Sequence, residues 1–316
     1  MPIKGEGLMK RKRLWLFGVF TLVIIFSSAC QMPEQSDEVK LDEVAYANTD
    51  YPTETPLQYA AQGILSDGKW NWHSGPAFVM SGKEMYWSKF LSATQHLEIW
   101  KIEKTDQGWT TGSRVEIEGI EGELNCPTFT NNEDLLYFYA LEGAKGTIYQ
   151  AKRNGNHWNE VEPVLIDVPE GKMISWGFSI AKSGNLYFTL ATLDGSEMQK
   201  LYYSEYVEGQ YSEPIELISL NEDGSNAMNP EISSDENLLI FESDRKGGHG
   251  GNDLYFSKRD ETGKWTSPTN LGSKINTVNE EFGATISPDG KYLFFESQRK
   301  SDLGYNAYWV IMPPEL

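Results

Sequence analysis

A stretch of about fifty residues recurs along this chain, and no other feature of the sequence restricts the fold as much. The pair NPEISSDENLLIFES (229–243) and NDLYFSKRDETGKWTSP (252–268) returns as FGATISPDGKYLFFES (282–297) and YNAYWVIM (305–312). Three looser copies precede it, opening GPAFVMSGKEMYWSK (75–89), CPTFTNNEDLLYFYA (126–140) and GFSIAKSGNLYFTL (177–190). One anchor falls at Tyr86, Tyr137, Tyr187, Ile240 and Phe294, with separations of 51, 50, 53 and 54 residues. A second, aromatic anchor falls at Trp109, Trp158, Tyr211 and Trp265, with separations of 49, 53 and 54. Two independent anchors sharing one period do not arise by chance.

Each copy reads as four short strands. In the fourth copy, Glu231–Ser233 is a small first strand that turns at Ser234–Asn237. Leu238–Ser243 is apolar almost throughout, as a strand covered on both faces must be. Asp253–Arg259 alternates, the glycine-bearing Asp260–Lys264 is a hairpin turn, and Trp265 opens the last strand. Proline and glycine fall at the turns, and helical periodicity is absent. The class is all-β, and tandem four-stranded antiparallel units predict a single β-propeller. The fifth copy stops soon after its third strand, Ala307–Met312, so its fourth strand has to come from the other end. Leu57–Leu65 is the natural donor, which would close the ring and remove the sheet edges.

ISPDGKYLFFES (286–297) together with the segment Gly250–Gly283 resembles the Pro-Asp variety of WD-like repeat found in bacterial envelope proteins, and more distantly the TolB-like propellers. The resemblance spans roughly 57–316 and is diluted in the first three copies, which lack the Pro-Asp-Gly triplet. It implies a propeller. A TolB-like ring has six blades, and the sixth here would need a copy within 41–72, which is too short and too polar. Five blades are expected, with six as the alternative.

The N-terminus reads as a separate unit. Lys10–Arg13 is basic, and Leu14–Phe26 is an apolar run of 13 residues. That is short of the ~20 residues a membrane span needs, so 1–29 is predicted to be a signal peptide. Ser27-Ser28-Ala29 followed by Cys30 resembles the lipobox of bacterial lipoproteins, although Ser27 stands where an aliphatic residue is usual. The resemblance implies a lipid on Cys30 that attaches the protein to a membrane. With Gln31 rather than aspartate next to it, the outer membrane is expected, facing the periplasm or the cell surface. Residues 30–56 are acidic and proline-dotted and read as a lipid-anchored tether, leaving 57–316 as the propeller domain. With Cys30 acylated, Cys126 has no disulfide partner and reads as a small buried apolar residue.

The chain carries a net charge of −19, which argues against a nucleic-acid partner. The loop Gly247-Gly248-His249-Gly250-Gly251 invites a phosphate or metal reading, but a strand follows it rather than a helix. The four histidines have no paired ligand spacing. The loop therefore reads as a turn, with Asp253 bonding to its amides.

Aligning the copies brings His73, Asn125, Trp176, Asn229, Glu281 and Phe282 to one mouth of the central channel. Arg245, His249 and Arg299 lie in the second-to-third-strand loops on the same side. Rings beside amides suit a sugar or a peptide. The expectation is a monomeric binding or scaffolding module, with a protein or glycan ligand and without cofactor or metal. A glycosidase-like enzyme is the alternative, because the entrance loops carry Glu123, Glu222, Asp223 and Glu281.

Overall fold

In the computed structural model the described residues are 46, 50–59, 75–91, 96–142, 145–300 and 305–316. The signal-peptide and lipid-anchor expectations, Cys30 included, lie outside them, and so does His73. Among the described residues the strands form five four-stranded antiparallel blades in a ring, a β-propeller, and the six-blade alternative falls away. A single turn of helix, α1 (Ile218–Asn221), accompanies them.

The chain first supplies β1 (Leu57–Gln58), whose partner is more than two hundred residues away. Blade 1 follows with β2 (Ala77–Phe78), β3 (Glu84–Leu91) and β4 (His96–Thr105). The hairpin end β5 (Gly108–Trp109) and the outer strand β6 (Ser113–Arg114) complete it. Blade 2 is β7 (Glu123–Phe129), β8 (Leu135–Glu142), β9 (Lys145–Asn154) and β10 (His157–Pro163). Blade 3 is β11 (Lys172–Ile180), β12 (Leu186–Thr192) and β13 (Lys200–Ser204), then a side hairpin β14 (Tyr206–Val207) and β15 (Gln210–Tyr211), and an outer β16 (Ile215–Glu216). Blade 4 is β17 (Ala227–Ile232), β18 (Leu238–Ser243), β19 (Asp253–Lys258) and β20 (Thr269–Asn270). Blade 5 is β21 (Glu281–Ile286), β22 (Tyr292–Ser297) and β23 (Asn306–Ile311). Its outer position is taken by β1, with Leu57 opposite Trp309 and Gln58 opposite Tyr308. The ring is thus sealed by an N-terminal strand, as the missing fourth strand of the last copy requires.

In blade 4 the second anchor departs from its expected place. Trp265 does not open the fourth strand of blade 4; it makes one isolated bridge to Arg259, and pairing resumes at Thr269. Its indole is held under the Arg259 guanidinium, 4.4 Å from the ring centroid, as Trp158 is under Arg153 at 4.5 Å. In blades 2 and 4 this cation–π contact ties the aromatic to the strand before the hairpin: Trp158 stands in β10 opposite Arg153, whereas Trp265 precedes the outer strand.

Burial is organised by seams. One hydrophobic cluster fills each gap between neighbouring blades. Val79, Tyr86, Phe138 and Trp158 lie between blades 1 and 2, and Tyr139, Ile174 and Phe188 between 2 and 3. Tyr187, Leu239 and Phe241 lie between blades 3 and 4, and Ile240, Phe256 and Phe295 between 4 and 5. The closing seam, between blades 5 and 1, holds Phe78, Trp87, Phe294 and Trp309 plus two tyrosines from ahead of the blades. Tyr59 donates its hydroxyl to the Tyr46 carbonyl at 2.7 Å, and Tyr46 meets Phe78 edge-on at 5.2 Å. Tyr46 lies within the 30–56 segment, so packing reaches back at least that far.

Candidate functional site

The first strand of every blade borders the central channel, and in blades 2 to 5 that strand is broken at the same level by a bulge. An extra residue has to be accommodated there, and the chain does so by taking one residue into the left-handed region. These residues are Cys126 (φ 51°), Trp176 (φ 51°), Asn229 (φ 49°) and Gly283 (φ 61°). Bulges of this kind re-aim a side chain, and here they turn four successive blades towards the channel mouth. Blade 3 carries two extra residues rather than one, between Ile174 and Phe178, and it is there that Trp176 projects, 40% exposed. Its indole is stacked on Tyr139, with ring centroids 6.3 Å apart.

Each bulge is supported from the second strand of the preceding blade. The Cys126 N–H donates to Ser88 Oγ (3.0 Å), the Asn229 N–H to Thr189 Oγ1 (3.0 Å) and the Gly283 N–H to Glu242 Oε1 (2.7 Å). Between blades 2 and 3 the Tyr139 hydroxyl instead donates to the Ile174 carbonyl. Asn229 extends the support sideways: its Oδ1 accepts from the Gly177 N–H and its Nδ2 donates to Glu242. One chain of hydrogen bonds therefore ties the mouths of blades 3, 4 and 5. Glu296 occupies the same position in blade 5 that Glu242 occupies in blade 4. It is fully buried, and among the described residues neither carboxylate oxygen has a hydrogen-bond partner.

Within these walls lies a cavity of about 530 Å³. At the mouth it is bordered by Asn125, Trp176, Asn229 and Phe282, further in by Phe129, Phe178 and Glu231, and at the far end by Lys182 and Asp235. Burial pushes the Glu231 carboxyl up to about 8, against a hydrogen bond from the Ile286 N–H that favours the charged form. Burial also lifts Glu242 to about 8 despite the N–H bonds it receives. Glu296 is raised well above the carboxylate range, first by burial and then by Glu242. Cys126 packs against the cluster between blades 2 and 3, as a small apolar residue would, and is partly buried where it also borders the cavity. Burial and the two glutamates push its thiol to about 12, so it stays protonated and is a poor nucleophile.

The residues singled out from the sequence therefore separate. Asn125, Trp176, Asn229 and Phe282 come together around the cavity. Asn125 is buried, and its Oδ1 accepts from the next N–H, that of Cys126. Phe282 meets Tyr305 edge-on at 4.6 Å. Glu281 is fully buried inside blade 5, where it accepts from the Thr277 N–H, Thr277 Oγ1 and Ser297 Oγ.

Arg245 lies over Phe241 and Tyr255, with Nε to Ser243 Oγ and Nη2 to the Leu220 carbonyl. Arg299 repeats this over Phe295 and Tyr308, with Ser297 and the Ile275 carbonyl. Both arginines are latches that tie a blade to the connection leading into it. His249 is exposed in the glycine loop, where its N–H and that of Gly250 donate to the Asp253 carboxylate. A Cβ on Gly250 would lie 1.8 Å from the Asn279 carbonyl, so the loop needs glycine for close packing against the next connection.

The carboxylates of the enzyme alternative are dispersed. Glu123 faces His96, Asp223 pairs with Arg245, Glu222 is exposed, and none of these or Glu281 borders the cavity. Sequence reasoning passed over Glu231, Glu242 and Glu296. The signal was the tripeptide Phe-Glu-Ser at 241–243 and again at 295–297, an acid ending an otherwise apolar central strand in both copies.

No protein-family profile matches the chain, and no curated protein matches it in sequence. Solved structures do resemble it. A TolB from Agrobacterium tumefaciens is 15% identical with a TM-score of 0.49, over 71% of this chain and 69% of its own. An α-L-arabinofuranosidase from Podospora anserina is 12% identical with a TM-score of 0.47, over 82% and 94%. The β-propeller domain of the Trilobed protease from Pyrococcus furiosus is 12% identical with a TM-score of 0.40, over 72% and 77%.

Proposed function

We propose that this propeller is a lipid-anchored binding or scaffolding module of the bacterial envelope, held at the outer membrane through Cys30, and that it takes a segment of a protein or glycan partner at the channel mouth. The observation that carries the reading is Trp176. A large ring left 40% exposed, on a strained bulge, backed by Tyr139 and facing a cavity bordered by Asn125 and Asn229, is an arrangement suited to stacking and amide hydrogen bonding. Exposed indole surface is costly in water, and a bulge that turns it outward does nothing for the core. The hydrolase alternative would need a carboxylate pair across the cavity. In its interior the described residues supply one, Glu231, while Asp235 sits at the far end and is bound into its own turn by Ser233 and Asn237.

Two measurements test the proposal. Glycan and peptide arrays probed with the purified ring should give ligands whose binding falls at least tenfold in Trp176→Ala. Equal binding by that variant would remove the mouth from the reading. Cys30→Ala should move the protein from the membrane fraction to the soluble fraction, and continued membrane association would refute the anchor.

A further inference from the structure

The channel has one feature that the mouth residues do not account for, a carboxyl on its wall with no counter-charge among the described residues. Glu231 borders the cavity and spends one oxygen on the Ile286 N–H of the next blade. At the same level stand Ala77 in blade 1, Thr128 in blade 2, Ser179 in blade 3 and Thr285 in blade 5, each facing its own partner in register. Ser179 shows the structural duty of the position, since its hydroxyl accepts from the Ile232 N–H. A hydroxyl is sufficient for that duty, so a carboxyl in blade 4 is more than the architecture requires. Among the described residues no cationic group acts on it, and burial raises its titration against the Ile286 hydrogen bond. The other ionisable side chains on the described cavity wall are Cys126, Lys182 and Asp235, while Glu242 and Glu296 stand behind the bulges.

Resting on the channel-mouth reading, we propose that the cavity seats a primary alkylammonium group, with its charge on Glu231 and its methylene stem along Phe129, Phe178 and Pro230. Glu231 lies inward of the mouth residues, so the charge has to arrive at the end of a thin apolar chain. Trp176 and Phe282 at the rim offer ring faces to an incoming cation, and the chain's net charge of −19 draws cations towards it. A lysine side chain and a free diamine share this chemistry.

The test is calorimetric titration of the folded protein with Nα-acetyl-lysine amide, with putrescine, and with Nα-acetyl-norleucine amide, which has an apolar chain but no amine. Because Glu231 has to lose its proton to pair with the ammonium, affinity for the amines should rise about tenfold per pH unit from roughly pH 6 to 8 and then level off. Near pH 7 about one proton should be released per amine bound, seen as buffer-dependent heat. Glu231→Gln should bind at least tenfold more weakly at pH 8 and lose the pH dependence. Glu231→Thr, which copies Thr128 and Thr285, should do the same in a side chain the ring already accepts. Tighter binding of the lysine amide than of putrescine would identify a peptide source, and the reverse order a free amine. No saturable binding of either amine, equal binding of the norleucine control, or wild-type affinity in Glu231→Gln would overturn the proposal. If glycan or peptide binding that depends on Trp176 persists while the amines fail, this inference alone falls; if both fail, the channel-mouth reading falls with it.

Discussion

Blades 1 and 3 hold up their neighbours' bulges with a hydroxyl, and blade 4 does the same task with a carboxyl. Ser88 and Thr189 each accept one N–H at 3.0 Å and are otherwise small, neutral and buried. Glu242 accepts two donors at the equivalent place, and Glu296, one blade on, accepts none among the described residues. Position in the ring is the same, yet the electrostatic outcome is opposite. A hydroxyl is desolvated cheaply and satisfied by one bond, whereas a carboxyl without a cation keeps its proton to remain buried. The two halves of the ring therefore differ in their response to pH although their backbones repeat.

The largest effect belongs to the closing seam. Gly75 of blade 1 corresponds to Cys126 of blade 2, where a side chain is tolerated, but at Gly75 a Cβ would lie 1.9 Å from Thr285 Oγ1 and 2.7 Å from the Gly283 carbonyl. Thr285 can rotate and the carbonyl cannot, so Gly75→Ala should cost about 3 kcal/mol in urea unfolding. Cys126→Ala should cost under ~1 kcal/mol by the same measurement. Similar losses for the two would show that the seams are equivalent.

The second effect concerns the latches present in blades 4 and 5. Arg299→Ala removes a charged donor to Ser297 and to the Ile275 carbonyl, and its contact with two rings. The expected loss is about 2–3 kcal/mol, or roughly 6 °C in melting temperature for a ring of this size. Lysine in its place should restore little, because the fork geometry is lost. Full rescue by Arg299→Lys would reduce the latch to a simple charge.

The third is the pH comparison itself. Glu242 and Glu231 titrate near 8 in the folded ring and near ~4.3 in the unfolded chain, so the folded state holds more protons between those values. Stability is then greatest at or below about pH 4.3 on their account and declines as pH rises, by up to ~1.4 kcal/mol per unit for each group, until they ionise near 8. Glu296→Thr, which imports the blade 3 solution, should stabilise the ring by about 1–2 kcal/mol at pH 8 and by less at pH 5. A uniform gain at both pH values would indicate packing rather than proton linkage. The smallest expected effect on stability is that of Trp176→Ala, within about 0.5 kcal/mol, since the ring lies largely outside the core.

Much of the architecture was legible because strand periodicity and turn residues repeat at a fixed interval, and a repeat dictates neighbours. The closing strand followed from counting: a copy that ends at its third strand needs a donor. The mouth of the channel was reachable in part, since aligning the copies leads to Asn125, Trp176, Asn229 and Phe282. Glu231 was hidden because it sits between proline and isoleucine just before a turn, where an acid normally faces water. Glu242 and Glu296 were hidden because an acid at the end of an apolar strand looks like the beginning of a loop. Arg245 and Arg299 pointed to ligand from their position in exposed connections, yet the preceding serines, two residues back in both copies, marked them as inward-folding. Sequence position gives the loop, and only the three-dimensional turn tells which way a long side chain leaves it.

The pairing of Leu57 with Trp309 has a consequence for how the circle comes into being. A chain made from its N-terminus produces the sealing strand first and the strand it seals last, so β1 has to wait, unpaired, while four blades assemble behind it. The entropic toll of that long closure rises only with the logarithm of the span, but it is met at the final step, where slow formation of distant contacts dominates the rate. Until then blade 5 lacks its outer strand, and the half-made ring offers a bare sheet edge to any other chain nearby.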